Sequence, residues 1–311
     1  MCKNVVPIAF AFDNNLVLPA CVCISSLLSN ANEDTFYDIF ILYSKSGNID
    51  RTNLDNIPQY YNNCKINYKL VDDTFDSAFE IRGITTPAYY RLLIPELIPE
   101  YEKVIYSDVD VVFRMDLWDL YQINLDGYYL AATRDLGLNL SKDGVEYIKT
   151  LNGVEAGDYL QSGFIVLNSS LIMRDGLVEQ FKSLAKQKLK FQDQDILNIA
   201  CHNKVKYLSL EYNMTDYSFY YVMKECDRIL DLFDKEAIEV ALNKGTLHYN
   251  GHKPWKKYCV NFDIWWEYYR NSPFFDPHFY FEFYYSKLDE LDQLSLWKRI
   301  KILLRYFIIR K

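Results

Sequence analysis

Apolar residues fall in short runs that alternate with segments of helical period through the first half of the chain. Val5–Phe12 (VVPIAFAF) is continuous enough for a buried strand. It leads into Leu16–Ser29, where Leu16, Ala20, Cys23 and Leu27 recur at intervals of four, three and four. That spacing predicts a helix, because a period of 3.6 brings those positions to one face. Tyr37–Tyr43 reads as a second strand, Asn48–Tyr61 as a helix, and Lys65–Val71 alternates polar and apolar like a third strand. Ala88–Ile98 has a helical pattern despite Pro95, and Lys103–Val112 (KVIYSDVDVV) reads as a fourth strand. Farther on, Tyr128–Thr133, Gly163–Leu167 and Val205–Leu210 are strand candidates, with helices over Leu171–Gln187 and Gln194–Cys201.

Strands alternating with helices predict an α/β layer with a largely parallel sheet. Ligands of such sheets bind beyond the carboxyl ends of the strands. That rule points to Asp13–Asn15 after the first strand and to Asp108–Asp110 on the fourth. No Gly/Ser/Pro linker interrupts residues 1–258, which read as one domain. The remainder, residues 259–311, belongs to a different kind of sequence, and aromatics are dense from Trp255 to Tyr285. In its tail, Leu296, Ile300, Leu303 and Phe307 share one helical face while Lys298, Lys301 and Arg305 share the other. A basic amphipathic helix of this kind suits an anionic membrane surface. The alternative is a terminal helix docked on its own domain with a solvated basic stripe.

Composition narrows the class. Of 311 residues, 50% are hydrophobic and 24% charged, too apolar for a disordered chain. The formal net charge of −8 argues against nucleic acid as a partner, since phosphate neutralisation needs clustered Lys and Arg. Basic charge is concentrated instead between Leu296 and Lys311, which hold six basic residues and no acidic one. Seven cysteines without a Cys-x-x-Cys pair are expected to be reduced thiols packed in a core. The Val5–Phe12 run ends at Asp13 with no small-residue cleavage site, so it does not read as a secretion signal. No stretch offers about 20 uninterrupted apolar residues for a membrane span. A cytoplasmic protein is expected, peripheral at the inner face of a membrane.

Three constellations carry candidate chemistry. In Asp108-Val109-Asp110 an extended backbone would point both carboxylates to one side, where they could share a divalent cation. Hard oxygen ligands with open positions suit Mg²⁺ or Mn²⁺ bridging to substrate phosphates. In His248-Tyr249-Asn250-Gly251-His252-Lys253-Pro254-Trp255 an imidazole could complete that shell, its nitrogen favouring Mn²⁺. There Gly251 would admit a phosphate and Lys253 would supply charge for it. Asp193-Gln194-Asp195 could cap a helix or hold sugar hydroxyls. Arg91, in Tyr89-Tyr90-Arg91-Leu92, is either a helix surface residue or a charged clamp.

The order of these segments, with Ala11-Phe12-Asp13-Asn14-Asn15 at the start, resembles glycosyltransferase family 8 over about residues 5 to 258. Its members include bacterial lipopolysaccharide galactosyl- and glucosyltransferases and the glycogenins. The resemblance implies a GT-A fold, an α/β architecture with a Rossmann-like nucleotide half and a mixed central sheet. It further implies a retaining transfer of Glc or Gal from UDP-glucose or UDP-galactose to a saccharide or glycolipid acceptor, with Mn²⁺ (or Mg²⁺). Asp13 would hold the uracil, with Ala11 and Asn15 lining the uridine pocket and Val109 part of the nucleotide site. Asp108, Asp110 and His248 would bind the metal, Asp108 also touching the donor sugar, and Gly251 and Lys253 would grip the diphosphate. Arg91, Asp193 and Gln194 would contact the transferred hexose and carry the catalytic step, beside Gln161 and Ser162.

Three departures from the family pattern stand out. Gln161-Ser162-Gly163 replaces the usual Asn-Ala-Gly or Asn-Ser-Gly, Gly83 replaces a common His, and only His252 separates Gly251 from Lys253. Two further readings remain open at this stage: a glycogenin-like self-glucosylating protein, and a catalytically silent carbohydrate-binding scaffold.

Overall fold

A computed structural model describes residues 3–44, 49–75, 86–224 and 227–309. They form two units, Met1–Ser272 and Pro273–Lys311. The first unit is built on a seven-stranded sheet of order β3-β2-β1-β4-β7-β6-β8. Its strands are β1 (Asn4–Ala11), β2 (Thr35–Ser44), β3 (Cys64–Val71), β4 (Lys103–Ser107), β6 (Leu130–Arg134), β7 (Leu160–Asn168) and β8 (Val205–Tyr207). A second sheet, β5-β10-β9, joins Val111–Val112 (β5), Met214–Thr215 (β9) and Leu247–His248 (β10).

The expected parallel arrangement holds for β3, β2, β1 and β4. It breaks at β7, which runs antiparallel to both β4 and β6, and returns at β6–β8. The sheet is therefore mixed. From Val6 to Ala11 every residue of β1 is buried, as a strand with both faces covered requires. Helix Val17–Ser29 follows at once and buries ten of its thirteen residues, Cys21 and Cys23 among them. Cys64 and Cys201 are buried free thiols too, while Cys2 and Cys226 lie outside the described residues. Burial raises the Cys21 thiol to about 12 and the Cys64 thiol to about 11, out of reach of thiolate chemistry near neutrality.

Three elements depart from their patterns. The expected strand Lys103–Val112 ends at Ser107, and Val111–Val112 belongs to the second sheet. Aspartates fit a half-buried pleat poorly, and Ser107-Asp108-Val109-Asp110 becomes the crossing between sheets. Leu171–Gln187 is divided into helices Ser169–Arg174 and Leu177–Leu184, because Gly176 stands between them at φ 70°. Pro95 limits the α-helical part of Ala88–Ile98 to Ile94–Leu97, after a 3-10 helix over Thr86–Leu93.

Trp265, Trp266 and Tyr269, on helix Phe262–Asn271, are fully buried within the first unit. Tyr268 from the same helix accepts from Asn30 at 2.9 Å. The second unit contains helices Pro277–Asp292 and Leu296–Ile309. Among the described residues no helix is long and apolar enough to cross a membrane.

Candidate active site

Strand register gathers the first acidic segments. Phe10 pairs with Ser107, so Ala11–Asn15 and Asp108–Asp110 leave the sheet at neighbouring points on one edge. Ala11 is buried, whereas Asp13 caps a short 3-10 turn by accepting from the Asn15 N–H at 2.9 Å. The second sheet then delivers His248. β10 pairs with β5 so that His248 faces Val111, and the Tyr249 N–H donates to the Asp110 carbonyl at 2.9 Å. As a result His248 Nε2 lies 3.4 Å from Asp110 Oδ1 and 3.8 Å from Asp108 Oδ2. The two carboxylates do converge, although through a crossing between sheets rather than along one extended strand.

One donor atom from each of Asp108, Asp110 and His248 lies within 4.8 Å of the others. Two hard oxygens and an imidazole nitrogen at that spacing fit a divalent cation with ligands at about 2.1–2.5 Å. Gly163 makes the convergence sterically feasible. A Cβ there would stand 2.3 Å from His248 Cε1 and 2.6 Å from Asp108 Oδ2. Behind the imidazole, Nδ1 lies 2.9 Å from Asn213 Oδ1, and Asn213 Nδ2 donates to Gln161 Oε1 at 2.7 Å.

Arg91 is not a surface residue. Its guanidinium is buried, donating to the Ser162 carbonyl at 2.7 Å and to Asp108 Oδ1 at 2.8 Å, with Asp193 Oδ2 3.2 Å from Nε. Burial works against its charge, but Asp108 and Asp193 more than compensate and hold it more firmly protonated than usual. Burial raises Asp193 to about 6, with Arg91 opposing the rise. For Asp110 the balance is reversed: Lys253 and His248 outweigh burial and depress its pKa. Lys253 itself forms an ion pair with Asp110 Oδ2 and donates to the Tyr249 carbonyl.

The Asp193-Gln194-Asp195 triplet divides its labour. Asp195, fully buried, accepts from the Phe191 N–H and from the hydroxyls of Tyr147 and Tyr159, which makes it the capping and packing residue. Asp193 turns toward Arg91 and Ser162 Oγ. Gln194 accepts from the Ser162 N–H at 3.1 Å and donates to Asp135 Oδ2 at 3.0 Å. Val109 is buried beside these groups in sequence, and Gly251 packs on Asp216, whose Oδ2 a Cβ would meet at 2.5 Å. His252 is exposed, and Gly83 lies outside the described residues.

Three site residues escaped the sequence reading. Asp135 directly follows β6, so the carboxyl-end rule, applied to that strand as well, finds it. Asn213 and Asp216 flank β9, a two-residue strand with no periodic signal of its own.

Known proteins resemble the chain over most of its length. The model of Glycosyl transferase family 8 matches residues 7–259. A putative glycosyltransferase of Haemophilus influenzae is 29% identical over 81% of this chain and 73% of its own length. The lipopolysaccharide 1,3-galactosyltransferase of Salmonella typhimurium is 23% identical over 80% of this chain and 72% of its own. The solved structure of the galactosyltransferase LgtC with donor and acceptor sugar analogues superposes with a TM-score of 0.71 at 24% identity. That superposition covers 86% of this chain and 96% of LgtC.

Proposed function

The chain belongs to glycosyltransferase family 8 with a GT-A fold, and from that premise we propose that it is a retaining, UDP-hexose-dependent hexosyltransferase. The donor is UDP-glucose or UDP-galactose, and the acceptor is a saccharide or glycolipid such as lipopolysaccharide, capsule or another surface glycan. One observation carries the reading: Asp108 and Asp110 of one segment and His248 of another meet beside a buried Arg91 that joins Asp108 to Asp193.

A bound Mn²⁺ (or Mg²⁺) would offset the charge that grows on the diphosphate as the sugar–phosphate bond breaks. Asp108, Asp110 and His248 would hold it. Asp13, with Ala11, Asn15 and Val109, would seat the uridine at the end of β1. Lys253, paired with Asp110 from the loop that begins at Gly251, would turn its ammonium to the diphosphate when donor arrives. Arg91, Asp193 and Gln194 would orient the hexose, with Ser162 bracing Asp193 and Gln194 through its hydroxyl and N–H. Holding donor and acceptor in this way converts an encounter in solution into an effectively intramolecular attack. Fixed charges in a buried setting add electrostatic stabilisation of the breaking bond.

A donor screen tests the proposal, with Mn²⁺ present and free UDP as readout. UDP release from UDP-glucose or UDP-galactose, lost on adding a chelator and in Asp110→Ala, is the expected result. An unaltered rate in a folded Asp110→Ala protein would refute the metal assignment.

A further inference from the structure

We propose that Gln161 and Asn213 are positioning residues that fix which nitrogen of His248 is free to bind a metal. The inference rests on the reading of Asp108, Asp110 and His248 as a metal site. All three members of the relay are buried, His248 at 2% exposure, Asn213 at 1% and Gln161 at 6%.

The polarity of this relay is set by the backbone. The Gly163 N–H can only donate, and it donates to the Gln161 side chain at 2.8 Å, so the atom it meets is the amide oxygen. That same oxygen receives Asn213 at 2.7 Å, so the Asn213 group turned toward it is the NH₂. The opposite end of Asn213, 2.9 Å from His248 Nδ1, is therefore its oxygen, an acceptor only. Nδ1 must then carry the proton, and any imidazole lone pair resides on Nε2, the atom that faces Asp108 and Asp110. Ligating histidines generally need such a partner to fix tautomer and ring orientation. The long arm of Gln161 reaches across to Asn213 from β7.

Two measurements decide the matter. In metal-free protein, long-range ¹H–¹⁵N correlation spectra at alkaline pH should show His248 as the Nδ1–H tautomer, its signals assigned by their loss in His248→Gln. Manganese binding, followed by the electron paramagnetic resonance of free Mn²⁺ without nucleotide, should weaken roughly 10–100-fold in Gln161→Leu and in Asn213→Ala. Gln161→Glu, which keeps an acceptor in place, should bind Mn²⁺ within a few-fold of the unaltered protein. An Nε2–H tautomer in the unaltered protein overturns the proposal, as does unchanged Mn²⁺ affinity in a folded Gln161→Leu variant. Because the tautomer is read without metal, it can fail or stand independently of the metal site itself. An unaltered protein that binds no Mn²⁺ would refute the metal reading instead.

Discussion

Arg91 donates to Asp108 Oδ1 at 2.8 Å, and the same Asp108 carboxylate receives the Tyr106 hydroxyl at 2.8 Å. Asp108 Oδ1 is thus saturated from within the protein. The other, Oδ2, is left facing His248. Arg91, proposed to orient the donor sugar, therefore also fixes how Asp108 presents Oδ2 to His248.

Replacing Arg91 should consequently harm both folding and transfer. Arg91→Leu leaves Asp193 buried without its counterion, a loss of about 3–5 kcal/mol for broken buried pairs. Thermal melts should show the destabilisation. Arg91→Lys keeps the charge but cannot bridge Ser162, Asp108 and Asp193 with one planar fork. A folded Arg91→Lys protein with transfer reduced by roughly 100-fold or more is expected, on the scale of losing a placed electrostatic donor. Full activity in Arg91→Lys would show that charge alone suffices.

Gly163→Ala probes the closeness of β7 to the proposed metal-binding side chains His248 and Asp108. The added methyl would press on both His248 Cε1 and Asp108 Oδ2, so one must retreat. Overpacking of this type costs about 1–3 kcal/mol. Manganese affinity, measured by calorimetry on the folded variant, should fall at least as far as stability does. Affinity equal to that of the unaltered protein would mean the ligands rearrange freely.

Much of this was legible beforehand, and the reasons differ by residue. Asp108 and Asp110 announce themselves because they follow an apolar run at the edge where α/β sheets bind ligands. His248 is legible only as an unusual neighbour of Gly251 and Lys253, since its β10 is two residues long and pairs far along the chain. The antiparallel entry of β7 has no local signature, because strand direction is decided by long-range pairing. Arg91 is ambiguous in sequence because five consecutive residues of its 3-10 helix, Tyr89 to Leu93, are buried and no single face marks it. The three-way sharing of Asp193, Gln194 and Asp195 among clamp, bridge and cap emerges only when Arg91, Asp135 and Tyr159 are brought alongside.

Asp193 gives the protein a pH signature. Its folded pKa, raised by burial to about 6, exceeds the unfolded value near 3.8. The folded state therefore binds the extra proton between these values, and this group's contribution to stability falls as pH rises through that window. Above pH 6 the cost amounts to about 3 kcal/mol. Asp193→Asn removes the titration. In metal-free protein, the stability of Asp193→Asn relative to the unaltered chain should accordingly climb from pH 4 to pH 6 and then level. Denaturant melts across that range measure it, and a flat difference would show that Asp193 ionises as an exposed carboxylate does.

The tail offers a separate test, on a unit distinct from the one that holds the site. Helix Leu296–Ile309 leaves Leu296, Trp297 and Leu303 exposed at 72%, 80% and 56%. Its basic residues, from Lys298 to Lys311 in sequence, would each gain about 1 kcal/mol beside an anionic lipid surface. Apolar burial among the headgroups adds to that attraction. Ending the chain after Leu294 should release it from vesicles containing phosphatidylglycerol, as read by co-sedimentation, while UDP-hexose hydrolysis persists. High salt should weaken binding of the intact chain, because screening reduces the charge contribution and leaves the apolar one. If the shortened protein still sediments with those vesicles, the attachment lies elsewhere and the exposed apolar residues of this helix serve another contact.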